Sequence, residues 1–412
     1  MTEIVVRKKF SEIIKKGDPF EAPREKITPG HSLKVLVTGG HLTPAIAVCD
    51  ELIRRKINNI VWVGHRHSQV MDKNDSVEFK YVSSKGIKFI ELVAGKLFRI
   101  WNARTYLPGF KSLINIPIGF IQSFFVLLRE RPDLVISFGG YLALPIVISA
   151  FILRIPRVTH EQTIVTGLSN RIIAKFCNKV FISWKQSSKY FNPSKTIYSG
   201  NPIRNAIFDT TKSKFSFSDD LPTIYITGGN QGASTINKVV VQILPSLLHD
   251  FNVIHQTGNS SVTGDFEKCK LVKDKLPEEL SKRYFVKDYV YEDEIGTVFD
   301  RAGIIIARSG ANTCYELMAL NKYSILIPIP NTSQNEQLLN ARALEEIGLS
   351  YVLEQKDLTP ETLNKAIFDV IRHKEMNLNL LDKGFINTRE KTQALIKLNS
   401  SEIIVDESLK LL

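Results

Sequence analysis

The 412-residue chain carries a formal charge of +12, a pI near 9.3 and 43% hydrophobic residues, enough apolar surface for about two to three domains with their own cores. This balance excludes a disordered chain and points to polyanionic partners: nucleic acid, an anionic membrane or phosphorylated small molecules. Cys49, Cys177, Cys269 and Cys314 are scattered without CxxC spacing or His-rich neighbours, which excludes a zinc module and a disulfide framework and suits a reducing interior.

In chain order, residues 1–33 form a basic N-terminal extension with prolines at 19, 23 and 29. Its start, MTEIVVRKKF, lacks the apolar core of a secretory signal, so the chain is expected to stay in the cytoplasm. Residues 34–205 then alternate apolar strands with helices. The strands are Lys34–Val37, Asn59–Val63, Phe89–Val93, Leu134–Ser137, Arg157–His160 and Lys179–Ser183, and helices are predicted near 42–55, 114–128, 144–153 and 167–176. Residues 206–221 lose periodicity and gain Ser, Thr, Lys and Asp, as a linker does. Residues 222–374 repeat the plan with strands at 223–227, 252–256, 284–287, 303–307, 324–328 and 351–353, and 375–412 is a C-terminal helical segment. The fold class is therefore α/β, with two Rossmann-like parallel-sheet domains. Leu113–Leu128 contains Asn115, Pro117 and Gln122, and Tyr141–Leu153 is short, so both are expected to be buried helices and not membrane spans.

In open parallel sheets ligands bind beyond the carboxyl ends of strands. Gly-rich turns stand at four such ends: Thr38–His41, Phe138–Tyr141, Gly228–Gly232 and Ser309–Gly310. Glycine lets backbone N–H groups approach a phosphate, and a helix start adds unpaired N–H groups and partial positive charge. Near the last turn, Glu316 offers a carboxylate for ribose hydroxyls, and Asn335, Glu336 and Gln337 follow the next strand. An ordinary βαβ unit with a helix-capping Glu316 is the competing account. The first turn is TGGH, without GxGxxG, and Gly64 and His65 follow the second strand without a carboxylate, which argues against a nicotinamide cofactor. His41 is a candidate general base, with a helix-entry hydrogen bond as its alternative. His160, Glu161 and Gln162 divide between local capping and substrate contact. Arg204, at the presumed interdomain crossing, could clamp a diphosphate.

The ordered set GGHLTPA (39–45), SFGGYLALP (137–145), HEQ (160–162), GNPIR (200–204), GGNQGA (228–233), RSGANTCYE (308–316) and NEQLLNA (335–341) resembles the MurG family of UDP-N-acetylglucosamine transferases, over about Lys34 to Arg372. The resemblance implies a GT-B glycosyltransferase, inverting at the anomeric carbon and requiring no metal or other cofactor, that moves N-acetylglucosamine from UDP-N-acetylglucosamine to a polyprenyl-diphosphate-linked sugar, lipid I to lipid II, in peptidoglycan synthesis. The first domain would bind the acceptor and face the membrane, and the second would bind the donor. It implies His41 as catalytic base. Arg204, Asn230, Gln231, Gly232, Ser309, Gly310, Glu316, Gln337, Thr38 and Thr163 would lie on the donor, with uracil held by main chain within Tyr291–Ile295. Gly39, Gly40, Gly139, Gly140, Tyr141, His160, Glu161 and Gln162 would lie on the acceptor. The sequence departs from the family pattern at Leu36 and Val37, at Thr163 where the family has Asn, and at Asn230 where it has Ser.

Around Leu97, Phe98, Arg99 and Trp101, the cations Lys96, Arg99, Arg104 and Lys111 mix with large apolar side chains in an expected loop, a composition that inserts among lipid headgroups and suits a peripheral enzyme on the cytoplasmic face of the plasma membrane. Nucleic acid is not expected as a partner, because no other aromatic-basic platform is present. A UDP-sugar 2-epimerase, another lipid-directed transferase and a non-catalytic UDP-sugar-binding protein are the alternative functions.

Overall fold

The computed structural model describes residues 32–67, 75–93, 95, 106–211, 217, 221–258, 260, 262–381 and 387–412. The first domain runs β1 (Lys34–Thr38), α1 (Leu42–Arg54), β2 (Asn59–Gly64), α2 (Val77–Ser84), β3 (Lys88–Glu91), α3 (Tyr106–Glu130), β4 (Leu134–Ser137), α4 (Gly140–Ile152), β5 (Arg157–Glu161), α5 (Leu168–Phe176), β6 (Lys179–Ile182) and β7 (Thr196–Tyr198). Its seven strands are parallel in the order β3-β2-β1-β4-β5-β6-β7. Central strands such as KVLVT and LVIS are almost wholly apolar because helices cover both faces of the sheet.

The second domain runs β8 (Thr223–Thr227), α6 (Ser234–Asp250), β9 (Asn252–Gln256), α7 (Asp265–Lys273), α8 (Glu278–Lys282), β10 (Tyr284–Lys287), α9 (Glu292–Arg301), β11 (Ala302–Ala307), α10 (Ala311–Ala319), β12 (Ser324–Leu326), α11 (Glu336–Glu346), β13 (Ser350–Val352) and α12 (Pro360–Leu381). Its order is β10-β9-β8-β11-β12-β13. Strand order reverses direction between β1 and β4 in one sheet and between β8 and β11 in the other. The four glycine turns follow these four strands, so each domain presents two turns at its own switch point, where an open sheet binds ligands.

Helices α13 (Asn387–Leu395) and α14 (Ser400–Leu409) follow α12. Helix α14 returns to the first domain: Ile404 and Val405 are fully buried in the core with Val35, Val37 and Leu52. Arg54 reaches Glu402 at 3.4 Å, Lys179 reaches Glu407 at 2.8 Å, and Arg55 pairs with Asp406.

Several elements differ from expectation. Helices α2, α7, α8 and α9 are short, and α7 and α8 carry charge with little apolar periodicity, so they read as spacers. The expected strand 324–328 ends at Leu326, since Pro328 has no N–H to donate, although Ile327 still donates to the Ala307 carbonyl at 2.8 Å. Helix α3 is far longer than expected and contains Pro117. No described helix is long and apolar enough to cross a membrane.

Candidate active site

In the first domain, the β1 turn passes through Gly39 and Gly40 into His41, which stands immediately before α1 with extended backbone. The His41 imidazole has no hydrogen-bond partner among the described residues. Burial lowers its pKa to about 4, so it is neutral at pH 7 with a nitrogen available for a proton. Gly40 (φ +113°) packs on the second turn, where an added Cβ would lie 3.1 Å from the Gly139 carbonyl. Thr38 is fully buried and its Oγ1 accepts from the Phe138 N–H at 3.3 Å, so it ties the two turns together and does not face a ligand. Gly139 and Gly140 both have positive φ, and α4 begins at Gly140 with Tyr141 half exposed beside His65, 3.2 Å from its Nε2.

The HEQ residues end β5 in the protein interior. His160 is 2% exposed, its Nε2 lying 3.1 Å from both the Gly200 carbonyl and Ser183 Oγ; burial pushes it down to about 3. It therefore supports the interdomain crossing. Glu161 accepts from Thr163 N and Oγ1 at 2.9 and 2.6 Å and from Asn170 Nδ2 at 2.9 Å; burial raises its pKa against these bonds. The Gln162 carbonyl accepts from Trp184, while its side-chain oxygen is buried without a partner among the described residues.

In the second domain, Asn230 and Gln231 are exposed at the tip of the β8 turn and Gly232 has φ +79°. An added Cβ at Gly232 would lie 1.9 Å from the Thr257 carbonyl oxygen, so backbone packs on backbone here. The β11 turn leads through Ser309 and Gly310 into α10. Ser309 Oγ is fully buried at that helix start with no partner among the described residues, while its carbonyl accepts from Asn340 at 3.2 Å. An unpartnered hydroxyl beside unpaired helix N–H groups fits a phosphate oxygen. Gln337 Oε1 accepts from Ile329 N–H at 3.0 Å.

Arg204 and Glu316 meet directly. Arg204 Nε donates to Glu316 Oε1 at 2.8 Å and Nη2 to Oε2 at 3.3 Å, with side chains 12% and 7% exposed. Burial works against the guanidinium charge, but Glu316 outweighs it and raises the Arg204 pKa. Glu316 is in the second turn of α10, too far along to cap its own helix. Asn201 donates to Asn312 at 3.0 Å, so the GNPIR segment is pinned to both domains. On the other side of the cleft Gln334, with φ +57°, lies 3.5 Å from Arg171 Nη2 and 3.4 Å from the Thr166 carbonyl. Burial and the nearby Glu161 raise the Glu336 pKa.

Sequence reasoning missed two side chains beneath the turns. Asn170 Oδ1 accepts from Gly140 N–H at 3.1 Å and fills the space a Cβ on Gly139 would take, 2.3 Å away. Glu78 fills the space that a Cβ on Gly39 or Gly64 would take. Neither lies in a strand-end turn, so only three-dimensional packing reveals them. A cavity of about 380 Å³, lined by Ser324, Glu345, Ser350, Tyr351 and Asp369, lies at the amino ends of β12 and β13, at the opposite end of the sheet from every glycine turn. Among the described residues, no group of three His, Cys, Asp or Glu side chains is placed to hold a metal ion. Leu97, Phe98, Arg99 and Trp101 lie outside the described residues.

Comparison with known proteins identifies the family. Residues 35–182 match the glycosyltransferase family 28 N-terminal domain and residues 223–395 the family 28 C-terminal domain. The chain is 31% identical over 360 residues, 85% of its length and 94% of the relative's, to a UDP-N-acetylglucosamine--N-acetylmuramyl-(pentapeptide) pyrophosphoryl-undecaprenol N-acetylglucosamine transferase of Clostridium botulinum. The chain belongs to the MurG family of glycosyltransferases. A transferase of the same name from Clostridium perfringens is 32% identical over 84% of the chain and 92% of the relative. A crystal structure of Acinetobacter baumannii MurG, 21% identical, superposes with a TM-score of 0.59 over 92% of this chain and 99% of that one, and shows the GT-B fold. Against the MurG family pattern, the Thr163 hydroxyl donates within its own loop, while Asn230 stays exposed.

Proposed function

We propose that the protein is an inverting transferase that moves N-acetylglucosamine from UDP-N-acetylglucosamine to the sugar hydroxyl of a polyprenyl-diphosphate acceptor, converting lipid I to lipid II. The observation that carries this reading is the 31% identity, across 94% of the relative, to a transferase named for that reaction. The residues supply the chemistry. His41, neutral through burial, takes the acceptor hydroxyl proton as the oxygen bonds to the anomeric carbon; an acceptor diphosphate nearby would raise its basicity. The bond to UDP breaks, and the charge on its β-phosphate falls to the N–H groups opening α10, the Ser309 hydroxyl and Arg204, without requiring a metal. Glu316 would turn from Arg204 to the ribose hydroxyls.

The lipid end is read from α3, which follows the basic-aromatic stretch. Ile118, Ile121 and Phe125 are 44%, 60% and 46% exposed at helical spacing, an apolar stripe suited to the headgroup region of the inner face of the plasma membrane.

The test is transfer of labelled N-acetylglucosamine from its UDP donor to lipid I in anionic-lipid vesicles. Labelled lipid is expected, falling by about 10²–10⁴-fold in His41→Ala while UDP binding persists. Acceptor-free conversion of the donor, with no labelled lipid, would overturn the reading in favour of an epimerase. Ile121→Glu is expected to lower vesicle binding while leaving turnover in detergent intact; unchanged vesicle binding would remove α3 as the contact.

A further inference from the structure

Glu78, in the first turn of α2, belongs to no strand-end turn, yet its carboxyl lies beneath two of them. A Cβ built on Gly39 would lie 1.7 Å from Glu78 Oε1, and one on Gly64 would lie 2.2 Å from it. These glycines end β1 and β2, adjacent parallel strands, and Gly39 N–H donates to the Val63 carbonyl at 2.7 Å. The missing side chains make a hollow that one carboxyl fills. Trp62 Nε1 donates to Oε1 at 2.6 Å, and the His65 backbone N–H donates as well. Helix α2 is held in place by Ser76, whose hydroxyl accepts from Phe79 N–H and donates to the His65 carbonyl.

We infer that Glu78 is a positioning residue for the transfer reaction: wedged under Gly39 and Gly64, its carboxyl fixes the path of the turn that aims His41. This rests on the reading of His41 as the base. A carboxyl is unusual in this place, because burial raises it to about 7 against the hydrogen bonds from Trp62 and His65. The turn therefore stands over a group that gains charge as the pH passes through neutrality. The titratable groups on the surrounding elements are His41 after β1, His65 after β2, Glu91 at the end of β3 and Tyr141 in α4. Arg66 and Lys88 are paired with Asp75 and Glu130. Ionised Glu78 repels an anionic acceptor above the turn, and protonated Glu78 does not, so acceptor engagement weakens as pH rises.

The variants Glu78→Ala and Glu78→Gln test this in the full-length enzyme. Glu78→Ala empties the hollow and is expected to lower kcat by up to about 100-fold, with UDP affinity unchanged. Glu78→Gln keeps the shape without the charge; it is expected to keep kcat and to flatten the pH dependence of acceptor KM between about pH 6 and 8. Wild-type kcat in Glu78→Ala, or a wild-type pH profile in Glu78→Gln, would overturn the inference. Should Glu78→Ala not fold, Glu78→Gln decides alone. Nuclear magnetic resonance separates this inference from the transferase reading. The Trp62 indole N–H is expected to titrate near neutrality in the wild type only, and the His41 ring signals to shift with it in the wild type but not in Glu78→Gln. Unmoved His41 signals sink the positioning role whether or not lipid is glycosylated, whereas absence of transfer by the wild type sinks only the transferase reading.

Discussion

The two domains build the same turn from different materials. In the second domain the glycines are required by main chain: a Cβ on Gly228 would lie 2.2 Å from Ala233 N, and one on Gly232 1.9 Å from the Thr257 carbonyl. In the first domain side chains fill the space beneath two of them, Glu78 under Gly39 and Asn170 under Gly139, although Gly139 also has a positive φ. A turn closed by backbone has one shape and offers its N–H groups to whatever phosphate arrives. A turn closed by a carboxyl or an amide can be reshaped by a single substitution or a proton.

The largest expected effect comes from the exception in the second domain, where a side chain does decide the site. Glu316→Ala leaves the Arg204 guanidinium buried without its carboxylate and is expected to destabilise the fold by about 3–5 kcal/mol, measured by denaturant unfolding. A loss below about 1 kcal/mol would mean that Arg204 finds water or another partner.

Next is the contrast itself. Gly228→Ala and Gly39→Ala are each expected to destabilise by about 2–3 kcal/mol, since both place a methyl group on occupied space. Adding Glu78→Ala should recover much of the second loss, because that obstacle is a removable side chain and Gly39 does not adopt a positive φ. No side-chain substitution should recover the first. Equal, additive losses in the Glu78 double-mutant cycle would erase the distinction between the domains.

The remaining effect concerns pH. Glu78 titrates near 7 in the fold against its ordinary 4.5, so the folded state holds the proton more tightly. Stability is then expected to fall as pH rises from about 4.5 to 7 and to level off above, with Glu78→Gln removing that slope. A variant with the wild-type slope would assign it to other groups.

Much of the fold was legible because burial writes a simple code. Strands such as LPTIYITG and AGIIIARSG are apolar runs that stop at glycine, which marks both the sheets and the turns. The turns in turn gave His41 and Ser309. What the sequence concealed depends on distant pairings. Arg204 and Glu316 are 112 residues apart, and each reads separately as a ligand contact; only folding shows that they satisfy each other. His160 and Thr38 sit at strand ends like His41, but one side chain turns to Gly200 and the other to Phe138. Strand-end position alone does not say which way a side chain points. Glu78 and Asn170 left no trace, since the signal for each is an absent Cβ elsewhere.

The return of α14 has a consequence for how the protein is made. Ile404 and Val405 complete the core of the first domain, and Arg54 meets Glu402 at a separation of 348 residues. During synthesis the first domain emerges long before the helix that closes it, and it waits with an apolar groove beside α1 while the whole second domain is translated. Its final stability is therefore a late, post-translational event, and the two halves become a single folding unit only when residues 400–409 leave the ribosome.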